Sequence, residues 1–475
     1  MRALRPTPSD RHSRGGACRT PFVPGLSLQR GAIALAIWGS LSAVHAETLV
    51  ELHQAAKAYD AAYLSAKTQA EATQYQVEQA YGLARPSLGL QAGINRSRYD
   101  SSESPDPAAA QGKKLSYDTM ATNMRLTLQG KYTLYNAVND AKIEQAEQQL
   151  KVVESDLKIA ESDLTARLAK AYFDVLSAQD VLTATQTNKK AVAEQLASAK
   201  RSFEVGNATI TDTREAQARF DLAEAQEIYA TNDLSFKRIA LDQVVGRSNV
   251  KPAPLRPPYK LDGLAPGEME DWVTRAADGP VIRKANIGLD TTRIELDKAR
   301  SGHLPTLDLV GSLGRSKVDS ANATYNVNAG AGTTGLIGLE LNLPLYTGGA
   351  TQNRVNEVSK LLVKAESDRD NAMRTTTLAT RQAYTAVQSG LAQVKALEAA
   401  ETSAKLALEA TQLGYKVGVR INKDVLDAFN FVANTQRDLY RYRYDVIVAS
   451  VKLKQAAGTL RDEDLEELNR MLVQP

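Results

Sequence analysis

Two proline-free stretches of about seventy residues, Asn136–Gly206 and Gly349–Gly418, constrain this chain more than anything else in it. Both are rich in Ala, Gln, Glu, Lys and Leu, and both sit in a duplicated frame. Tyr172 and Tyr384, Gly206 and Gly418, Asp212 and Asp424, and Gly246 and Gly458 are each 212 residues apart. The local text agrees, with Phe203-Glu204-Val205-Gly206 answering Tyr415-Lys416-Val417-Gly418. A constant offset across four landmarks marks an internal duplication. In the first copy Ile143, Ala146, Leu150, Val153, Leu157, Ala160 and Leu164 follow a three-four alternation, the seam of a packed helix. Leu168 adds a second consecutive four-step before Ala171 and Val175, a stutter that relaxes the supercoil locally. A helix of this length runs roughly 100 Å, several times the width of an ordinary domain. Each half therefore reads as a long helix, a glycine turn and a helix of about 35 residues. Such a chain bridges a distance.

The first 46 residues have a different design. Arg2, Arg5, Arg11, Arg14, Arg19 and Arg30 precede an apolar run, Ala32–Leu41, and then Ser42-Ala43-Val44-His45-Ala46. A signal peptide cleaved after Ala46 is expected; the apolar run is shorter than the about 20 residues of a helical span. The leader holds six arginines and Asp10, so the formal charge of +3 becomes +3 − 5 = −2 beyond it. That removes the compositional case for nucleic-acid binding. Cys18 is the single cysteine and also lies in the leader, which leaves the rest without thiol chemistry. No later stretch approaches 18 continuous apolar residues, so helical membrane spans are not expected.

A helix is expected over Glu47–Ala84, ending before Pro86. The period then changes to two. Leu88, Leu90, Ala92 and Ile94 alternate with Gly89, Gln91, Gly93 and Asn95. After a loop containing Ser104-Pro105-Asp106-Pro107, Met120, Thr122, Met124, Leu126 and Leu128 alternate with Asn123, Arg125, Thr127 and Gln129. The second half repeats this: Leu307, Leu309 and Leu313 against Thr306, Asp308 and Ser312, a Gly/Asn/Ser-rich loop to about Thr334, then Ile337, Leu339, Leu341, Leu343 and Leu345 against Gly338, Glu340, Asn342 and Pro344. One such strand suits a half-buried sheet in a soluble domain. Four of about ten residues, with little left to cover their apolar faces, match the lipid-out, lumen-in pattern of a membrane barrel. Tyr132, Tyr135 and Tyr346 stand where an aromatic girdle would be. Four strands cannot close a barrel, so an oligomer is required; eight strands from two chains or twelve from three both remain open on this arithmetic. A Pro-rich connector, Lys251–Pro258, joins the halves, followed by short helices near Met269–Ala277 and Val281–Ser301 and an acidic C-terminal helix, Asp462–Leu472.

Several stretches, in order and duplicated, carry a resemblance: Ala84-Arg85-Pro86-Ser87-Leu88, Ala171-Tyr172-Phe173-Asp174-Val175-Leu176, Ile210-Thr211-Asp212, Gly302-His303-Leu304-Pro305, Leu343-Pro344-Leu345-Tyr346-Thr347-Gly348-Gly349, Gly414-Tyr415-Lys416-Val417-Gly418-Val419-Arg420 and Asp424-Val425-Leu426-Asp427-Ala428. Over essentially its whole length beyond the leader the chain resembles the TolC family of outer-membrane channel-tunnel proteins. That resemblance implies an α+β membrane protein: a homotrimer whose twelve-stranded outer-membrane β-barrel, four strands per chain, continues into a periplasmic α-barrel of helical hairpins. It implies a Gram-negative outer-membrane location and an exit duct for substrate delivered by an inner-membrane transporter and a periplasmic adaptor. The division expected is a leader (1–46), an N-terminal helix with the first strand pair (47–131), the first hairpin repeat (132–246), a connector with equatorial helices (247–302), the second strand pair (303–346), the second hairpin repeat (347–458) and a C-terminal equatorial helix (459–475).

Asp424 and Asp427 share a helix face at i, i+3 spacing. Three copies would make a ring of carboxylates favouring cations; alone, such residues serve as first-turn acids of a helix. By resemblance, Tyr415 and Arg420 hold the periplasmic mouth closed, with Asp212 as a partner for Arg420. An ordinary packed Tyr and exposed Arg is the alternative, since an exposed ion pair contributes only about 0–1 kcal/mol. Asn422-Lys423 before Asp424 departs from the family pattern, and the lysine weakens the expected cation preference. The tips at Val205-Gly206 and Val417-Gly418 are, by resemblance, docking sites for the adaptor; glycine is also what such a turn needs structurally. An enzyme is not expected, nor a cofactor or metal: beyond the leader only His53 and His303 are present, without metal spacing, a phosphate loop or a nucleophile–base pair. A periplasmic coiled-coil adaptor would explain the helices but not the strands. The cargo stays open between an unfolded polypeptide, as in type I secretion of a toxin, and small molecules, as in multidrug efflux; absence of a lipidation cysteine after the leader leans to the former.

Overall fold

The computed structural model describes residues 47–101, 117–257, 261, 266–320 and 330–473. The leader, the Ser104–Pro107 loop, Pro258 and most of the Gly/Asn/Ser-rich loop lie outside the described residues. The first expected helix is two: α1 (Leu49–Tyr59) and α2 (Ala61–Tyr81), with a 3-10 turn at Gly82–Ala84. Asp60 breaks them apart because its backbone is extended (ψ 115°) and its carboxylate caps α2 at the Tyr63 amide, 2.8 Å away.

The sheet consists of β1 (Ser87–Ser101), β2 (Tyr117–Tyr135), β3 (Thr306–Ser320) and β4 (Gly330–Asn342), antiparallel in that order. At 13 to 19 residues these strands are longer than the ten expected. The alternation fades at their far ends, where polar residues occupy both faces, so periodicity alone stopped short. β4 ends at Asn342, leaving Leu343 and Leu345 outside it; Pro344 has no amide to give a ladder. Register places Leu88, Leu90, Ala92 and Ile94 beside Gly130, Leu128, Leu126 and Met124, and Leu307 and Leu309 beside Leu341 and Leu339. One face is thus apolar across all four strands.

From the sheet the chain enters α3 (Ala137–Glu204), capped by Asn136 at the Val138 and Asn139 amides, and returns in α4 (Ile210–Val245). After α5 (Met269–Ala277), α6 (Pro280–Ser301) and the second strand pair come α7 (Ala350–Lys416), α8 (Asn422–Ala456) and α9 (Asp462–Asn469). α3 packs on α4, α8, α6 and α2, while α7 packs on α8, α6 and α5. Val153, Leu164, Leu168 and Val175 of the seam are buried. Among the described residues no helix is long and apolar enough to cross a membrane.

Among the described residues the most extensive core lies halfway along the hairpins, where Leu164–Leu176 of α3 meet Leu49 and Leu52 of α1, Leu241 of α4 and Leu439–Val451 of α8. The repeated tyrosines both clamp the connecting segment, Tyr172 from this core and Tyr384 from a separate cluster with Val387 and Leu453. The Tyr172 hydroxyl donates to Ala253 O (3.0 Å) and the Tyr384 hydroxyl to Gly267 O (2.9 Å). His53 of α1 is buried against α3, with Nε2 3.0 Å from Thr165 Oγ1. Burial, and then the neighbouring Lys57 ammonium, hold its pKa below the ordinary value, against the pull of Asp462 and Glu161. The unfolded chain therefore takes up this proton more readily than the folded one, and stability is lost as pH falls below about 6.5. Thermal unfolding followed between about pH 7 and 5 should show the wild type losing stability faster than His53→Gln; parallel curves would remove His53 from that role.

Candidate functional site

The two hairpin turns are copies down to their hydrogen bonds. Gly206 (φ 78°) donates to Phe203 O at 3.0 Å while Asn207 donates to Ser202 O at 2.7 Å. Gly418 (φ 84°) donates to Tyr415 O at 3.1 Å while Val419 donates to Gly414 O at 2.9 Å. This pair of bonds is the Schellman closure of a helix, which needs the left-handed conformation at its glycine. No atom lies within 4 Å of a Cβ built on either glycine, so backbone conformation alone dictates the residue. The tips present apolar side chains to solvent: Val205, Val417, Val419 and Ile421 are all more than half exposed.

Past each turn the copies diverge. Thr209 caps α4, and the Asp212 carboxylate accepts from its amide (3.0 Å) and hydroxyl (2.8 Å). The equivalent of Thr209 is Ile421, so Asp424 accepts only the Ile421 amide, at 3.4 Å. Its remaining capacity goes to Arg420, 3.7 Å away. The expected Arg420–Asp212 pair is therefore not made within the protomer: Asp212 is taken by Thr209, and Arg420 reaches the carboxylate four residues ahead of it. The stem of Arg420 lies back across the turn, 2.8 Å from where a Cβ on Gly414 would be. Tyr415 is half-buried.

Asp427 does not stand free. Arg219 of α4 donates to it at 2.6 Å and Lys423 lies 3.3 Å from its other oxygen. Asn422 is buried, with Oδ1 accepting from Gln195 Nε2 of α3 at 2.6 Å and Nδ2 donating to Asp212 O at 3.4 Å. Leu426 is fully buried among Val192, Leu196, Ala199 and Ala216. The start of α8 is thus bolted to both helices of the first hairpin. Sequence reasoning missed Gln195 and Arg219. Arg219 was within reach, because it lies two helical turns after Asp212 and so on the same face.

At the other end of the chain, Tyr132 pairs with Leu309 and Tyr135 with Leu307. Residues three apart on a regular strand face opposite ways. A bulge at Leu134, between the Thr133 and Tyr135 pairings, restores both tyrosines to the apolar face. Tyr346 lies beyond β4, almost fully exposed.

Comparison with known proteins gives one answer. The model of the family described as outer membrane efflux protein matches residues 52–247 and 276–459, one segment on each duplicated half. Outer membrane protein TolC of Vibrio cholerae is 32% identical over 90% of this chain and 94% of its own. The alkaline protease secretion protein AprF of Pseudomonas aeruginosa is 33% identical over 64% of this chain and 63% of its own. Among solved structures, the Campylobacter jejuni CmeC outer membrane channel superposes with a TM-score of 0.73 at 17% identity, covering 95% of this chain and 98% of its own. With duplicated hairpins, a four-stranded sheet apolar on one face and a family segment on each half, this chain belongs to the outer membrane efflux protein family.

Proposed function

We propose that three copies of this chain form the outer-membrane exit duct of a tripartite system for type I secretion, passing an unfolded polypeptide from an inner-membrane transporter and a periplasmic adaptor to the exterior. The observation that carries the duct is the open sheet: β1 and β4 stand at its two edges with no further strand beside them among the described residues. Unpaired backbone in lipid costs several kcal/mol per group, so these edges must meet other copies. The flanking helices are equally unfinished, with Ile228, Phe236 and Ile239 exposed on α4 and Val363, Leu378 and Leu406 on α7. Three copies give the twelve strands that the family resemblance implies. The polypeptide cargo is supported by the Pseudomonas relative, which is named for secretion of a protease; the family description, efflux, supports small molecules as the second reading.

At the mouth, Asp424 and Asp427 would ring the axis, Tyr415 and Arg420 would hold neighbouring hairpins together, and the apolar tips at Val205-Gly206 and Val417-Gly418 would dock the adaptor. Each Asp427 faces Arg219 and Lys423, so the ring is partly compensated and its cation preference is modest. Deleting the chain from its host tests the cargo. Retention of a normally released polypeptide inside the cell, with unchanged susceptibility to toxic small molecules, is expected; the reverse pattern makes it an efflux duct.

A further inference from the structure

The polar face of the sheet carries few charges, and they are sorted by height. Among the described residues, alternation puts only Arg125, Lys131, Asp308 and Glu340 on the face opposite the leucines of β1 and β3. Three of these gather at the end nearest the helices. Asp308 accepts from the Thr133 hydroxyl at 2.8 Å, pairs with the Lys131 ammonium at 2.8 Å and stands in register with Glu340. Lys131 is therefore occupied, and Glu340 leaves that end of the face net acidic.

Arg125 stands apart. Its register partners are Gly93 on β1 and Ser316 on β3, and Gly332 follows on β4. Ser316 is eight residues from Asp308 along β3, about 27 Å at the usual strand rise. That exceeds three Debye lengths of about 8 Å at physiological ionic strength, so the carboxylates near the helices do not neutralise it. The Arg125 side chain is exposed, and no hydrogen bond or ion pair engages it among the described residues. Around it the wall forms a hollow of about 460 Å³, lined also by Gly93, Asn95, Asn123, Ser316 and Val318. No atom lies within 4 Å of a Cβ built on Gly93, so nothing crowds the β1 side of this hollow. Its guanidinium, two carboxamides and hydroxyl can all donate hydrogen bonds, and no carboxylate lines it.

We propose that Arg125, with Asn95, Asn123 and Ser316, is an oxyanion-binding site on the inner wall of the duct, taking carboxylate or phosphate groups of what passes through. It rests on the duct reading above, which turns the apolar face to lipid and this face to the lumen. A guanidinium forks onto two oxygens of either group, and the neighbouring amides and hydroxyl reach the remaining ones. Three copies set three such sites at one height, around a twelve-stranded lumen too wide for side chains to fill. Rings of arginine are how pores attract anions. This ring has the opposite sign to the carboxylates at the mouth, so the two ends of the duct discriminate separately.

The test uses the full-length assembly in planar bilayers, with poly-L-glutamate or sodium tripolyphosphate added on the barrel side. Both should reduce conductance at about 0.1 M KCl and lose most of that block at about 1 M, where the Debye length falls to about 3 Å. Block by poly-L-glutamate alone assigns the site to carboxylates of a polymeric cargo, and block by tripolyphosphate alone assigns it to phosphate groups. Arg125→Gln should weaken the block roughly tenfold or more, the loss expected for a charge-assisted hydrogen bond. Arg125→Lys should keep part of it, and Lys317→Gln, on the opposite face of β3, should leave it unchanged. Equal block of wild type and Arg125→Gln, or no block by either anion, overturns the site. Channels that conduct without such block sink only the site, whereas absence of conduction in any lipid sinks the duct.

Discussion

Arg219→Gln combined with Asn422→Ala should raise single-channel conductance in planar bilayers several-fold and shorten closed times. Both residues bind the start of α8 to the first hairpin, Arg219 through Asp427 and Asn422 through Gln195 and the Asp212 carbonyl. Any widening of the mouth that slides the α7–α8 hairpin away from α3–α4 must break these bonds. Arg219 and Asp427 are 31% and 45% exposed, so the ion pair is screened and contributes only about 1 kcal/mol per copy. Threefold repetition makes that about 3 kcal/mol, roughly a hundredfold in the ratio of closed to open mouths. Arg420, 60% exposed and 3.7 Å from Asp424, should matter less when replaced alone. A second readout separates latch from charge. Arg219→Gln by itself leaves Asp427 with Lys423 only, so the reversal potential in a KCl gradient should move towards cations. Unchanged conductance in the double variant would remove the latch.

The second large effect concerns two glycines that the repeat makes look alike. Gly458→Ala should prevent assembly of a stable protein, whereas Gly418→Ala should assemble with modestly lowered melting temperature. Both have positive φ, 66° and 84°, which costs an alanine roughly 1–2 kcal/mol. Around Gly418 there is open space. At Gly458 a Cβ would come 2.7 Å from the Gly279 Cα and 2.6 Å from the Pro280 ring, at the start of α6. Backbone there cannot swing away like a long side chain, and the strain rises to roughly 2–5 kcal/mol or beyond. Recovery of heat-resistant oligomer from membranes is the measurement. Equal yields from the two variants would show that the α8–α6 junction opens readily enough to admit a methyl group.

The long helices, their glycine ends and the apolar face of each strand were legible because they depend on local rules: periodicity, proline exclusion and the left-handed turn. A 212-residue repeat made them readable twice. Where a local rule was applied across a break, it failed. The helix over Glu47–Ala84 is interrupted at Asp60 because a single carboxylate can cap the next helix better than it can continue the last. Strict alternation would have put Tyr132 and Tyr135 on opposite faces, and only the bulge at Leu134 reunites them.

The mouth shows the same division. Sequence by itself determined that Asp424 and Asp427 share a face and that Gly418 turns the chain, since both follow from spacing along one helix. It could not say that Asp212 is held by Thr209, that Arg420 turns to Asp424, or that Arg219 and Gln195 reach α8 from another hairpin. The first two pairings span three and four residues, but Arg219 and Gln195 lie 208 and 227 residues from their partners Asp427 and Asn422. Their pairing was decided by how α3, α4 and α8 pack around Leu426, because a hydrogen bond or ion pair acts over a few ångströms of space and is indifferent to distance along the chain.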